Sequence, residues 1–167
     1  RLQQEFERQG LKLSRQTMSN WLLSASDTWL KPIYDELHRK LCQEKVLHGY
    51  ETTLQVLREA GKSATSMSYM WLYRTSGYAE RPIVLYEYQE DRKAKHAEEF
   101  LDGFSGWLHA DGYQGYHKLP EHIRVVGCAA HARRKFDEAL TALPKEQQQT
   151  SKAAEALCYF AKLFQLE

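Results

Sequence analysis

From Lys45 onward the chain carries three β-rich runs in close succession, VLHGYETTLQVL, SMSYMWLYRT and RPIVLYEYQ. This feature constrains the fold more than any other. The runs are separated only by a Gly/Ser/Ala/Lys stretch over residues 60–65 and by Ser76 and Gly77, so short turns must join them into an antiparallel meander. The pattern then changes. A helix is expected over 93–101, followed by a short strand, GWLHAD, and a small helix across 113–119. An apolar strand, IRVVG, and a helix over 128–143 come next; Pro144 breaks that helix, and a final one starts near 150.

Strands separated by helices must cross over and lie parallel to a neighbour. Three meander strands followed by helix, strand, helix, strand and helix therefore predict an α/β domain. Its mixed five-stranded sheet, flanked by helices, has the ribonuclease-H-like arrangement. The run SYMWLYR reads as core packing and carries no function.

A short N-terminal helical segment precedes this domain, giving expected divisions of 1–44 and 45–167. Leu2 and Phe6 lie four apart and Gly10 interrupts the pattern. Ser14 fits as the N-cap of a helix through about Leu23 that buries Met18, Trp21 and Leu22. A third helix begins near Ser26 or Asp27, with Leu30, Ile33, Tyr34, Leu37 and Leu41 at helical spacing and Pro32 in its first turns. LSRQTMSNWL has the form of the second helix of a helix-turn-helix, with Arg15, Gln16, Ser19 and Asn20 facing outward toward DNA.

Composition limits the function classes. Hydrophobic residues make up 43% and the aromatics number six Phe, ten Tyr and four Trp, enough for a packed core. Lys and Arg (23) nearly cancel Asp and Glu (22), so any basic surface is local. Cys42, Cys128 and Cys158 are odd in number and widely spread, which argues against a secreted disulfide framework. The charged start and the lack of a long apolar run exclude a signal peptide or membrane span and favour the cytoplasm. The chain opens on Arg1 and stops at Glu167 within a helical run, and so reads as a fragment.

Asp111 is the most suggestive acid. It ends the strand GWLHAD and precedes Gly112, and carboxyl ends of strands are where open α/β sheets gather functional groups. A carboxylate there suits a hard cation such as Mg²⁺, or serves only to cap the helix that follows. A two-metal phosphoryl-transfer site needs a second acid beside the first. In the first strand the only acid is Glu51; Tyr50 occupies the opposite face, and periodicity leaves open which of them meets the site. GCAAHARRKF opens a helix with His131, Arg133, Arg134 and Lys135 within a turn and a half. Such charge suits a phosphate backbone, while the plain alternative is a solvated face with Arg134 and Glu138 spaced as an ion pair. Cys128 and His131 have the spacing of half a zinc site, with no second ligand pair in view.

Together these residues resemble the insertion-sequence-66 family of DDE transposases. The similarity runs through LSRQTMSNWL, VLHGYETTLQVL, YMWLYRT, FLDGFSGWLHADGYQGYHKL, GCAAHARRKF and AKLFQLE, and is most specific from Phe100 to Phe136. The resemblance implies metal-dependent DNA cleavage and strand transfer with Mg²⁺ or Mn²⁺. It implies DNA as partner, both transposon ends and target, with a homo-oligomer as a further expectation and no membrane or small-molecule substrate. It also implies that Asp111 is the second catalytic acid and a metal ligand.

The family's first acid opens an Asp-Glu-Thr triplet, whereas this sequence reads Tyr50-Glu51-Thr52, and the third acid maps beyond Glu167. A phenol is neutral at pH 7 and cannot replace a bridging carboxylate. Glu51 would do so only through a register shift that turns the strand's other side chains to the wrong face. The expectation is therefore weak metal binding and no cleavage, with Arg133, Arg134, Lys135, His131 and Arg15 as DNA contacts. The rival readings are a decayed element that only binds DNA, a ribonuclease-H-like nuclease acting on RNA–DNA hybrids, and a purely structural domain.

Overall fold

The computed structural model describes residues 2–166. The chain divides into two compact units, one ending at Leu41 and the other beginning at Cys42.

In the first unit, α1 (Leu2–Arg8) ends before Gly10, whose φ of +83° is the left-handed conformation that glycine adopts without strain. Ser14 caps α2 (Arg15–Ala25) as expected, its Oγ accepting the Thr17 N–H at 3.0 Å. No chain break separates the second and third helices. Instead, a π-helical turn over Ser26–Leu30 feeds directly into α3 (Lys31–Leu41). Pro32 supplies the reason: it has no N–H to return to residue 28, and its ring crowds that carbonyl. The helix widens just ahead of it, and the Lys31 N–H reaches back five residues to the Ser26 carbonyl. Of the three α2 residues expected to be buried, Met18 is half-buried but Trp21 and Leu22 are exposed at 58% and 74%. Helical spacing shows which residues share a stripe; it does not show that a partner covers the stripe.

The second unit is built on β1 (Val46–Gln55), β2 (Met67–Thr75), β3 (Val84–Gln89), β4 (Gly106–Ala110) and β5 (Ile123–Gly127). Their order across the sheet is β3-β2-β1-β4-β5. The pairs β1–β2 and β2–β3 are antiparallel, while β1–β4 and β4–β5 are parallel. This is the mixed, ribonuclease-H-like sheet that the alternation of elements predicts. Between strands lie α4 (Ala94–Phe100), a 3₁₀ turn (Gln114–Lys118) and α5 (Ala129–Thr141). The expected last helix is preceded by a short extra one, α6 (Lys145–Gln148), before α7 (Lys152–Phe164).

Alternation along the strands sorts the side chains into two faces. Leu47, Trp71, Tyr73, Leu85, Leu108 and Ala110 share one face and are buried. Phe100, Leu101, Phe104 and Tyr116, all buried, come from α4, the turn after it and the 3₁₀ turn. The Tyr73 and Phe100 rings stack with centroids 3.9 Å apart. At the other end of the chain, α5 meets α7 through Phe136 and Phe160, whose centroids are 5.8 Å apart. The start of β4 is drawn tightly against β1: the Trp107 N–H bonds the Lys45 carbonyl at 2.9 Å. A Cβ on Gly106 would lie 2.4 Å from that carbonyl oxygen, so only glycine fits there.

Candidate functional site

The parallel ladder between β1 and β4 ends at Gly49 and Ala110, so Tyr50 and Asp111 are the next residues on adjacent strands at the sheet rim. Residues flanking this point project to opposite sides of the sheet and build two distinct clusters.

On the core-facing side, Glu51 lies in register with Trp71, and its side chain is 1% exposed. It is fully engaged. Oε1 accepts from Arg92 Nε at 2.8 Å and from Arg92 Nη2, and Oε2 accepts from the Tyr116 hydroxyl at 2.8 Å. The Arg92 guanidinium lies over the Tyr113 ring, 4.1 Å from its centroid, and the Tyr113 hydroxyl donates to the Arg92 carbonyl. Asp111 approaches from the β4 side, its Oδ2 3.9 Å from Arg92 Nη2. Its Oδ1 accepts the Tyr113 N–H at 2.9 Å, so Asp111 does shape the turn that follows, yet one oxygen still faces the cleft.

On the opposite side, His48 and His109 are register partners, and their Nδ1 atoms lie 2.8 Å apart. The Tyr50 hydroxyl is 3.2 Å from His109 Nδ1, and the Tyr50 ring stacks on His131 with centroids 5.7 Å apart. Burial and the contact with Cys128 push the Tyr50 phenol above its ordinary range, which keeps it protonated. Burial works to raise the Cys128 thiol as well, but hydrogen bonds from His131, Tyr50 and the Ala130 backbone together outweigh it and leave the thiol below its usual value.

The His48–His109 contact makes acid sensitivity predictable. Burial lowers both imidazoles, reinforced at His48 by the neighbouring His109 and at His109 by His131. A neutral pair shares one N–H between the two Nδ1 atoms, whereas a doubly protonated pair would set N–H against N–H. A depressed folded-state pKa means that this contribution to stability is complete above about 6.5, the unfolded value, and is lost as pH falls through the folded values. The melting temperature should therefore drop between pH 7.5 and 5, above the range where carboxylates titrate. His48→Gln should flatten that drop; an equally steep decline in the variant would show that the pair is not responsible.

A cleft of about 840 Å³ opens at the rim, lined by Arg92, Asp111, Cys128, His131, Arg134 and Lys135 among others. Arg133 is exposed on α5 but does not line it, and Arg15 belongs to the other unit. Glu138 pairs with Lys135 at 2.8 Å rather than with Arg134, four residues before it. Among the described residues no three His, Cys, Asp or Glu side chains converge as metal ligands. The rim does not fit a divalent ion as it stands: among the described residues the cleft is lined by two carboxylates, Asp111 and a Glu138 paired with Lys135, and Glu51 is buried against a guanidinium. The half zinc site at Cys128 and His131 likewise gains no third ligand among the described residues.

Sequence reasoning missed Arg92, His48, His109 and Tyr116. Arg92 sits in a charged connection without periodicity, and nothing local points to it. His48 was findable, since it lies two residues before Tyr50 and strand alternation puts both on one side; His109 follows only once β1 and β4 are paired, as its register partner.

Fold and rim define a class: a ribonuclease-H-like domain with an acid at the carboxyl end of its central parallel pair and a basic helix beside it. The chain belongs to the transposase IS66 family, whose sequence profile matches residues 1–167. Among curated proteins it is similar to the uncharacterized protein y4jD of Sinorhizobium fredii, at 32% identity over 98% of this chain and 33% of that protein. The uncharacterized proteins y4qI and y4hP of the same organism match at 32% and 27% identity, over 77% and 97% of this chain and 26% and 32% of theirs. The chain thus spans about a third of the length of y4jD. No solved structure matches it. Among the described residues no helix is long and apolar enough to cross a membrane.

Proposed function

We propose that this chain is the DNA-engaging portion of a transposase, and that with Tyr50 in place of an acid it grips DNA without cutting it. The observation that carries this reading is that Asp111, Arg134 and Lys135 line one cleft at the rim of the sheet. Phosphate contacts supply most of the affinity of such proteins, and a basic helix along a cleft tracks a backbone well. Membership of a transposase family makes DNA the natural ligand. Cleavage with Mg²⁺ or Mn²⁺ would need two neighbouring carboxylates, and in this reading Tyr50 occupies the position of one of them. The remaining elements of the proposal are cytoplasmic residence, a DNA contact by Arg15 in a helix-turn-helix-like first unit, and backbone contacts by Arg133 and His131.

Fluorescence anisotropy with a labelled duplex tests it. Arg134→Gln/Lys135→Gln should weaken binding and flatten the dependence of log K on log salt by about 0.9 per lost phosphate contact. A parallel incubation with Mg²⁺ should leave the duplex intact. Unchanged affinity in the double variant would remove the cleft from consideration, and nicking by the unaltered chain would refute the inactive reading.

A further inference from the structure

We infer that Arg92 is a phosphate-contacting residue of the cleft, held in place by a buried buttress of Glu51 and Tyr116. The inference deepens the cleft reading above and rests on it. Arginine carries five N–H donors in a planar fork. Two of them are spent on one oxygen of Glu51, through Nε at 2.8 Å and through Nη2. Glu51 is held from behind by the Tyr116 hydroxyl at 2.8 Å, and Tyr116 is itself fully buried. Tyr113 supports the flat face of the guanidinium. The side chain is nevertheless 40% exposed and lines the cleft that Arg134 and Lys135 also line.

The ion pair leaves three donors of Arg92 unspent, on a side chain that lines the same cleft as Arg134 and Lys135. Asp111, at 3.9 Å, is too distant for a hydrogen bond and leaves those donors open. A guanidinium fixed on one edge by a buried carboxylate and open on the other is pre-organised for an oxyanion with two oxygens to offer, and a phosphodiester offers them. Little rotamer freedom remains to be lost on binding. Glu51, which by sequence is a candidate metal ligand, is here a positioning residue.

Charge and position make opposite predictions for Glu51, and that difference decides the matter. Removing a carboxylate near DNA should tighten binding if only net charge counts. If Glu51 aims Arg92, Glu51→Gln should instead weaken it. With a short labelled duplex, Arg92→Gln is expected to bind about tenfold more weakly, with a salt slope shallower by about one. Arg92→Lys should recover the slope but not the full affinity, because an ammonium lacks the fork. Tyr116→Phe preserves every charge and serves where Glu51→Gln fails to fold; a fall of about threefold is expected for it, with folding checked by a thermal melt. Tighter binding by Glu51→Gln, unchanged binding by Tyr116→Phe, or unaltered affinity and slope in Arg92→Gln would each overturn the inference. If the Arg134/Lys135 double variant loses affinity while the Arg92 variant does not, the groove stands and Arg92 falls. If the unaltered chain shows no affinity for duplex, the groove falls and takes Arg92 with it.

Discussion

Trp71→Ala is expected to lower the unfolding free energy by about 3–5 kcal/mol, a large part of the stability of a domain this size. Trp71 is completely buried at the centre of β2. Its ring lies within 6.0–6.4 Å, centroid to centroid, of Tyr73, His96, Tyr113 and Tyr116. Four neighbouring rings from three parts of the chain cannot all collapse into the space an indole leaves, so a cavity term adds to the lost transfer energy. The indole Nε1 is buried and finds no hydrogen-bond partner among the described residues, so Trp71→Phe discards an unsatisfied donor and should cost markedly less. Urea unfolding with comparable m-values would measure both. An alanine variant within 1 kcal/mol of the parent, an outcome outside the ~3–5 kcal/mol range for such truncations, would show that this packing contributes little.

The second large effect concerns metal. Tyr50→Asp should bind Mn²⁺ at least about tenfold more tightly than the unaltered chain, a difference of about 1.4 kcal/mol. The reason is the ladder: with Gly49 opposite Ala110, positions 50 and 111 continue the register of neighbouring strands whose backbones lie about 4.8 Å apart. Carboxylates borne there can converge on a hard cation once Asp111 turns from Arg92 toward position 50, whereas the present Tyr50, a protonated phenol against His109 and His131, offers no such ligand. Tyr50→Asn, similar in size but uncharged, is the control. Equal Mn²⁺ affinity in the Asp and Asn variants, measured calorimetrically without DNA, would show that position 50 is not the place of a first acid.

Much of the sheet was legible in the residues. IRVVG and GWLHA are strands at the expected places, and the alternating Trp71-x-Tyr73-x-Thr75 face is buried as a half-core strand should be. Those signals are local, and local periodicity is what a sequence displays. The helical rod was less readable. The π turn before Pro32 depends on how a missing N–H is absorbed, and the exposure of Trp21 depends on what lies around it. The site divided in the same way. Asp111 could be picked out because a strand end and a glycine flank it. Arg92 could not, because its meaning comes from Glu51, 41 residues earlier, and from Tyr116, 24 residues later. Glu51 stood out in the sequence as the one acid of the first strand, a candidate catalytic group only through a shift in register; its burial against Arg92 and Tyr116 depends on distant residues that no local pattern shows.

The central parallel pair also bears on how the domain comes into being. His48 and His109, side by side on β1 and β4, are separated by 61 residues. The hairpins β1–β2 and β2–β3 can zip from their own turns, but the β1–β4 seam needs a long loop to close, at an entropic cost that slows such contacts. During synthesis the meander therefore emerges and pairs first, with one flank of β1 unsatisfied until β4 leaves the ribosome. Arg92 and Glu51 can meet before that moment; Asp111 joins them only afterward.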